Sequence, residues 1–152
     1  MTDNRCLLRR LLTPAGVFVT ALLLCSACSQ QAVYPPAAQL GANIVIDAAS
    51  LDPETPKFYT HQYQGRNISY FVLTIHGNVL SFLDACASCY SHKKGYRYAD
   101  GSVTCRYCGM KFSKHQLEKG LGGCYPIKIE GRLEKGAYLI PIATLNAAAD
   151  KF

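Results

Sequence analysis

Two Cys-x-x-Cys pairs constrain this chain more than any other feature of its 152 residues. Cys86 and Cys89 form the first pair, and Cys105 and Cys108, followed by Gly109, form the second, so the spacing reads C-x2-C-x15-C-x2-C. Each pair makes a tight turn that aims two sulfurs at one point, and two such knuckles complete a tetrahedral thiolate site. Gly109 suits the left-handed backbone that closes a knuckle, because glycine has no Cβ to clash there. A fifth thiol, Cys124, follows Gly122-Gly123, whose backbone N–H groups can approach an anion closely. Four thiols are enough for one site, so Cys124 is an alternative ligand, an exchangeable or redox-active thiol, or a small buried residue. All five, Cys86, Cys89, Cys105, Cys108 and Cys124, are candidate metal ligands.

The residues around the knuckles read as strands and tight turns. Asn43–Asp47 is a short strand, and Lys57–Tyr63 carries aromatic residues at β spacing. Ile68–Ile75 is a β-branched and aromatic run suited to a buried central strand. Gly77-Asn78 is a hairpin signal, after which Val79–Leu83 returns to deliver the first knuckle. Asp100-Gly101 turns the chain between Tyr96–Ala99 and Val103-Thr104, which delivers the second. A last hairpin is expected from Ile127–Leu133 and Tyr138–Ile142, with Ala143–Ala149 as a closing helix. The expected fold is mostly β, a small α+β domain of antiparallel hairpins carrying a two-knuckle, four-cysteine, ribbon-like metal module.

The first 28 residues have a different logic. Arg5, Arg9 and Arg10 precede a largely apolar stretch from Leu11 to Leu24, the order of a signal peptide. Small residues then lead to Cys28, as in a lipobox, although Cys25 stands where leucine is usual. This predicts an exported lipoprotein anchored to the membrane through Cys28, in the cell envelope. The alternatives are an exported soluble chain or an uncleaved anchor, which the short run and Pro14 disfavour. Residues 29–41, rich in alanine and proline, read as a tether, and 42–152 as the cysteine-rich domain. The formal charge of +6 falls by two, to +4, once three arginines and Asp3 leave with the leader. That is too little, too dispersed, for a nucleic-acid footprint.

Several motifs recur together and in order. Asp84-Ala85-Cys86-x-x-Cys89, Lys94-Gly95-Tyr96, Val103-x-Cys105-x-x-Cys108-Gly109-Met110-x-Phe112 and Gly122-Gly123-Cys124-x-Pro126-Ile127 resemble the FtrD-like family of membrane iron–sulfur proteins. The resemblance covers roughly Lys57 to the C-terminus and departs from the family at Tyr125, where asparagine is usual. It implies an iron–sulfur centre, association with a membrane, and redox or metal handling beside an iron permease.

Spacing alone does not separate Zn2+ from a single iron or a cluster, since all accept thiolates. Haem attachment is excluded, because Tyr90 and Gly109 stand where histidine would follow each pair. Lys93, Lys94, Arg97, Arg106, Lys111 and Lys114 could favour thiolates or form a solvated face. His92 and His115 are minor candidates beside five thiols, Asp84 is expected to cap the first knuckle, and Tyr90, Tyr96, Tyr98 and Tyr107 to shield the site. No nucleophile triad, carboxylate pair or phosphate loop points to an enzyme. The expected function is electron transfer or redox support of iron transport, on an iron–sulfur cluster or mononuclear iron, with an iron permease or redox protein as partner. A structural zinc-ribbon binding module and a thiol–disulfide protein are the alternatives.

Overall fold

The computed structural model describes residues 31–152, which form one compact unit. The leader and Cys28 lie outside the described residues. Among the described residues no helix is long and apolar enough to cross a membrane.

Among the described residues, eleven strands make three antiparallel sheets. The first joins β1 (Ala38–Leu40), β2 (Asn43–Asp47), β11 (Ala137–Pro141) and β10 (Arg132–Glu134). The second, in order, is β3 (Lys57–Tyr63), β4 (Arg66–Ile75), β5 (Asn78–Cys86) and β9 (Pro126–Ile129). The third is β6 (Tyr96–Ala99), β7 (Ser102–Cys105) and β8 (Lys111–Phe112). A short helix, α1 (Ile142–Ala147), follows β11. The mostly β architecture read from the sequence is the one observed.

Strand β4 explains why its sequence is apolar without a break. Side chains alternate across a strand, so its two faces enter two different cores. Ile68, Tyr70 and Val72 pack with Ile44, Ile46, Tyr138, Ile140 and Leu145 of the first sheet and α1. Phe71, Leu73 and Ile75 pack with Phe82, Tyr96, Val103, Phe112 and Leu117 on the side of the third sheet. The same alternation in β5 sends Leu83 and Ala85 to the first core and Phe82 and Cys86 to the second. The first knuckle is thereby launched from the central sheet toward the third.

Hairpin turns pin the register. Gln64-Gly65, His76-Gly77, Asp100-Gly101 and Lys135-Gly136 each hold both residues at positive φ, as two-residue hairpins with native twist require. Ile75 pairs with Asn78, so the β4–β5 turn is His76-Gly77, one residue earlier than Gly77-Asn78. The expected strand Ile127–Leu133 divides: β9 joins the central sheet and β10 the first, with Glu130 and Gly131 as the crossing point. Periodicity could not reveal that break, since both halves have β composition.

The alanine- and proline-rich segment reaches further into the fold than its composition suggests. Gln31 Nε2 donates to Asp84 O at 2.7 Å, and Tyr34 N donates to Thr60 Oγ1 at 2.8 Å. Tyr34 stacks on Phe58 at 4.8 Å between ring centroids, and Ala38–Leu40 pairs with β2. From Gln31 onward the segment is tied to the domain at several points, Ala32 O accepting from Ser69 Oγ and Pro35 O from Thr60 N.

Candidate metal centre

Cys86 ends β5 and Cys105 ends β7, so each knuckle begins where a strand stops. In the first, Cys89 N donates to Cys86 O at 3.0 Å. In the second, Gly109 N donates to Cys105 O at 3.0 Å and Cys105 N to Met110 O at 2.9 Å. The knuckles face each other across a flat stack of His92 on Tyr107, with ring centroids 3.6 Å apart and planes 9° from parallel.

Cys124 is carried to the first knuckle by the central sheet. Pro126 pairs with Cys86 at the end of β9, Ala87 N donates to Tyr125 O at 3.0 Å, and Ser88 Oγ donates to Gly123 O at 2.8 Å. Leu121 and Cys124 exchange two backbone hydrogen bonds of 2.9 Å around Gly122-Gly123, whose φ values of 56° and 83° few other residues adopt. The double glycine is a third tight turn, and it presents a third ligand arm.

All five sulfurs of the sequence reading come together, in two overlapping groups. The ligand atoms of Cys86, Cys89 and Cys124 lie within 4.8 Å of one another, as do those of Cys89, Cys105 and Cys108. Cys89 belongs to both groups, and Cys108 Sγ lies 3.9 Å from Cys124 Sγ, closing the ring. Two sulfurs on one tetrahedral ion are separated by about 3.8 Å, given metal–sulfur bonds of ~2.3 Å. Cys86, Cys89 and Cys105 are buried, Cys124 is partly covered and Cys108 is exposed, so the centre has one edge open to solvent.

The thiols cannot all ionise together without a cation. Burial raises the Cys86 pKa, but the Tyr96 hydroxyl and the N–H groups of Ser88 and Cys89 outweigh it, leaving a net lowering. Burial also opposes ionisation of Cys108, where the Met110 N–H and the neighbouring thiols Cys105, Cys89 and Cys124 prevail and lower it. Cys89, Cys105 and Cys124 are pushed up, by burial first and then by hydrogen bonds and charge from the neighbouring thiols. A metal ion removes that mutual penalty by displacing the protons, which is how metal binding couples to thiol ionisation.

Tyr96 is the best internal evidence that the site suits an anionic sulfur centre. It is fully buried, no well-aligned hydrogen bond satisfies its hydroxyl, and the group it faces is Cys86, whose thiolate it favours. An orphaned buried hydroxyl is costly, and an electron-rich sulfur is the acceptor available to it. Tyr96→Phe is expected to raise the pKa of the Cys86 thiol, because the hydroxyl that favours its thiolate is removed. Site-resolved alkylation rates against pH measure this, and an unmoved Cys86 profile would contradict it.

Asp84 does not cap the first knuckle as expected. It faces the third sheet like Cys86, two residues on, and its Oδ1 accepts from Tyr96 N while Oδ2 accepts from Gln31 Nε2 at 3.1 Å. A Cβ on Gly95 would come within 2.5 Å of that carboxylate, so the glycine lets β6 approach β5. Burial is the main influence on Asp84 and lifts its pKa to about 7, against hydrogen bonds from Tyr96 N and Gln31 and the charge of Arg106.

The other expectations divide. Of the four tyrosines only Tyr96 is buried, whereas Tyr90, Tyr98 and Tyr107 are exposed. Arg106 Nε donates to Tyr96 O, Lys93 Nζ to Phe152 O, and Lys114 pairs with Glu54, so these cations are engaged with backbone or carboxylate. The strongest favourable influences on Cys86 are a hydroxyl and backbone N–H groups. His92 stacks on Tyr107, and His115 meets His76 away from the sulfurs. Gln31, which ties the start of the domain to Asp84, carried no sequence signal, because the contact spans 53 residues.

Hairpins that deliver thiolates from three turns to one partly open point define a cysteine-liganded metal protein. The FtrD-like family of membrane iron–sulfur containing proteins matches residues 51–152. The chain belongs to that family. No curated protein matches the chain. The residues present fit an iron–sulfur or iron centre: Cys86, Cys89, Cys105, Cys108 and Cys124 would hold it, and it would supply one-electron redox chemistry.

Proposed function

We propose that this chain is an exported electron-transfer protein of the cell envelope, holding iron or an iron–sulfur cluster on its cysteines and supporting iron transport beside a membrane permease. The observation that carries the reading is the sharing of Cys89 between two sulfur groups, which makes the five cysteines one centre. Its open edge at Cys108 favours electron exchange, because transfer needs a redox group near the surface. The surrounding backbone donors and the Tyr96 hydroxyl supply the hydrogen bonds that tune a thiolate-bound redox centre. Lipidation at Cys28 would hold the domain at the membrane, with Gln31 at its first described position.

Protein purified without oxygen is expected to be coloured, to contain iron, and to show a reversible redox wave. Colourless protein with stoichiometric zinc and no such wave would overturn the reading in favour of a structural zinc site. Mass loss of two protons per cysteine pair, restored by reductant, would favour a thiol–disulfide protein.

A further inference from the structure

Two histidines that the thiolate centre does not use meet at the surface. His76 is the first residue of the turn between β4 and β5, held at φ 50°. His115 lies in the 3-10 turn Lys114–Gln116, whose start is fixed by reciprocal hydrogen bonds between Ser113 and Gln116. Their backbones are anchored by buried neighbours, Ile75 on one side and Phe112 and Leu117 on the other. His76 Nε2 and His115 Nδ1 stand 3.4 Å apart, with ring centroids separated by 5.1 Å.

That separation is long for an N–H···N hydrogen bond, whose usual range ends near ~3.2 Å. It equals the spacing of two nitrogens on one tetrahedral ion, about 3.4 Å for metal–nitrogen bonds of ~2.1 Å. A carboxylate is at hand: Glu54 is bonded through its N–H to Thr74 O of β4 at 2.9 Å and pairs with Lys114, the residue before His115. The Lys114 hydrogen bond is the main influence holding the Glu54 carboxyl below its ordinary range, and both histidines add to it. The carboxylate therefore lies within electrostatic reach of both rings.

We propose that His76 and His115 form a second metal site, an exchangeable one for a divalent first-row transition ion, with Glu54 as third ligand and water completing the shell. In the metal-bound form the ion sits between the two ring nitrogens, and Glu54 turns from Lys114 toward it. Two imidazoles, one carboxylate and open positions suit ferrous iron among such ions, whereas the thiolate centre suits softer coordination. An exposed site of this kind binds and releases its ion readily, unlike the buried sulfurs. It stands apart from the proposed redox role, which needs only the cysteines.

The test is calorimetric titration of Zn2+ into the full chain with its thiolate centre already filled. The wild type is expected to take up one further equivalent. His76→Ala and His115→Ala should each weaken that equivalent at least tenfold, with the metal content and absorption of the thiolate centre unchanged. Glu54→Gln should weaken it by a smaller factor, and an unchanged affinity would remove Glu54 from the ligand set. Absence of the further equivalent in the wild type, or its persistence in both histidine variants, would overturn the site. Because the sulfur centre is read separately, failure here is distinct from failure of the redox reading.

Discussion

Cys89→Ser is expected to empty the metal centre, whereas Cys124→Ser leaves most of the metal bound with an altered spectrum. Cys89 is the one sulfur common to both groups, so its loss leaves no set of three converging sulfurs among the described residues. Loss of Cys124 leaves Cys89, Cys105 and Cys108 intact, with Cys86 adjacent. Serine is no substitute, because these metals select soft thiolate over a hydroxyl. Binding at a closed cysteine site is folding free energy, on the order of 10 kcal/mol in small zinc domains. Losing even about 3 kcal/mol of it lowers Tm by more than about 10 °C in a domain of this size. Metal per chain after anaerobic purification, with a thermal melt of each variant, checks both halves. Equal metal loss in the two variants would show that the five sulfurs do not divide as the geometry indicates.

A second large effect concerns pH and Asp84. Its carboxyl titrates near 3.8 when free and at about 7 in the fold, with burial as the leading cause. Between those values the folded state binds the more protons, so this group's contribution is complete below pH 3.8 and is lost as pH rises through about 7. The full swing is on the order of 4 kcal/mol, at 1.36 kcal/mol per unit of pKa. Asp84→Asn keeps an oxygen acceptor for Tyr96 N and removes the titration. The wild-type minus Asp84→Asn difference in denaturation free energy should therefore fall from pH 4 to pH 8. A flat difference would show that the carboxylate is better solvated than its surroundings indicate. At pH 4 Asp84→Ala should be destabilised by about 1–3 kcal/mol, because Tyr96 N and Gln31 lose their acceptor in a buried place, and by the same linkage this penalty should shrink as pH rises through 7.

Much of this protein was legible in particular residues. The run Ile68–Ile75 announced a buried central strand, and β4 is that strand, which the structure places between two cores. The two knuckles announced a common centre, because a Cys-x-x-Cys turn is a local geometry that needs few neighbours. Other features were hidden. Nothing local in Ile127–Leu133 says that its halves belong to different sheets, since strand pairing is decided by partners far along the chain. Asp84 looked like a turn cap because Asp before a turn usually is one, but its strand face turns it toward β6. His76 and His115 are 39 residues apart, and their meeting follows from the way the third sheet lies against the β4–β5 hairpin.

What the sequence by itself determined was local: hairpins at glycine turns, alternating faces, and two pairs of sulfurs each aimed from its own knuckle. Short-range sterics and side-chain periodicity suffice for those. Only the tertiary structure decided that Cys124 joins them, that Cys89 is the shared sulfur, and that a tyrosine hydroxyl waits beside Cys86. Each of these depends on β9 pairing with β5 and on the third sheet closing over the second core. Such contacts arise from burial and backbone pairing across long loops, which no short stretch of sequence encodes.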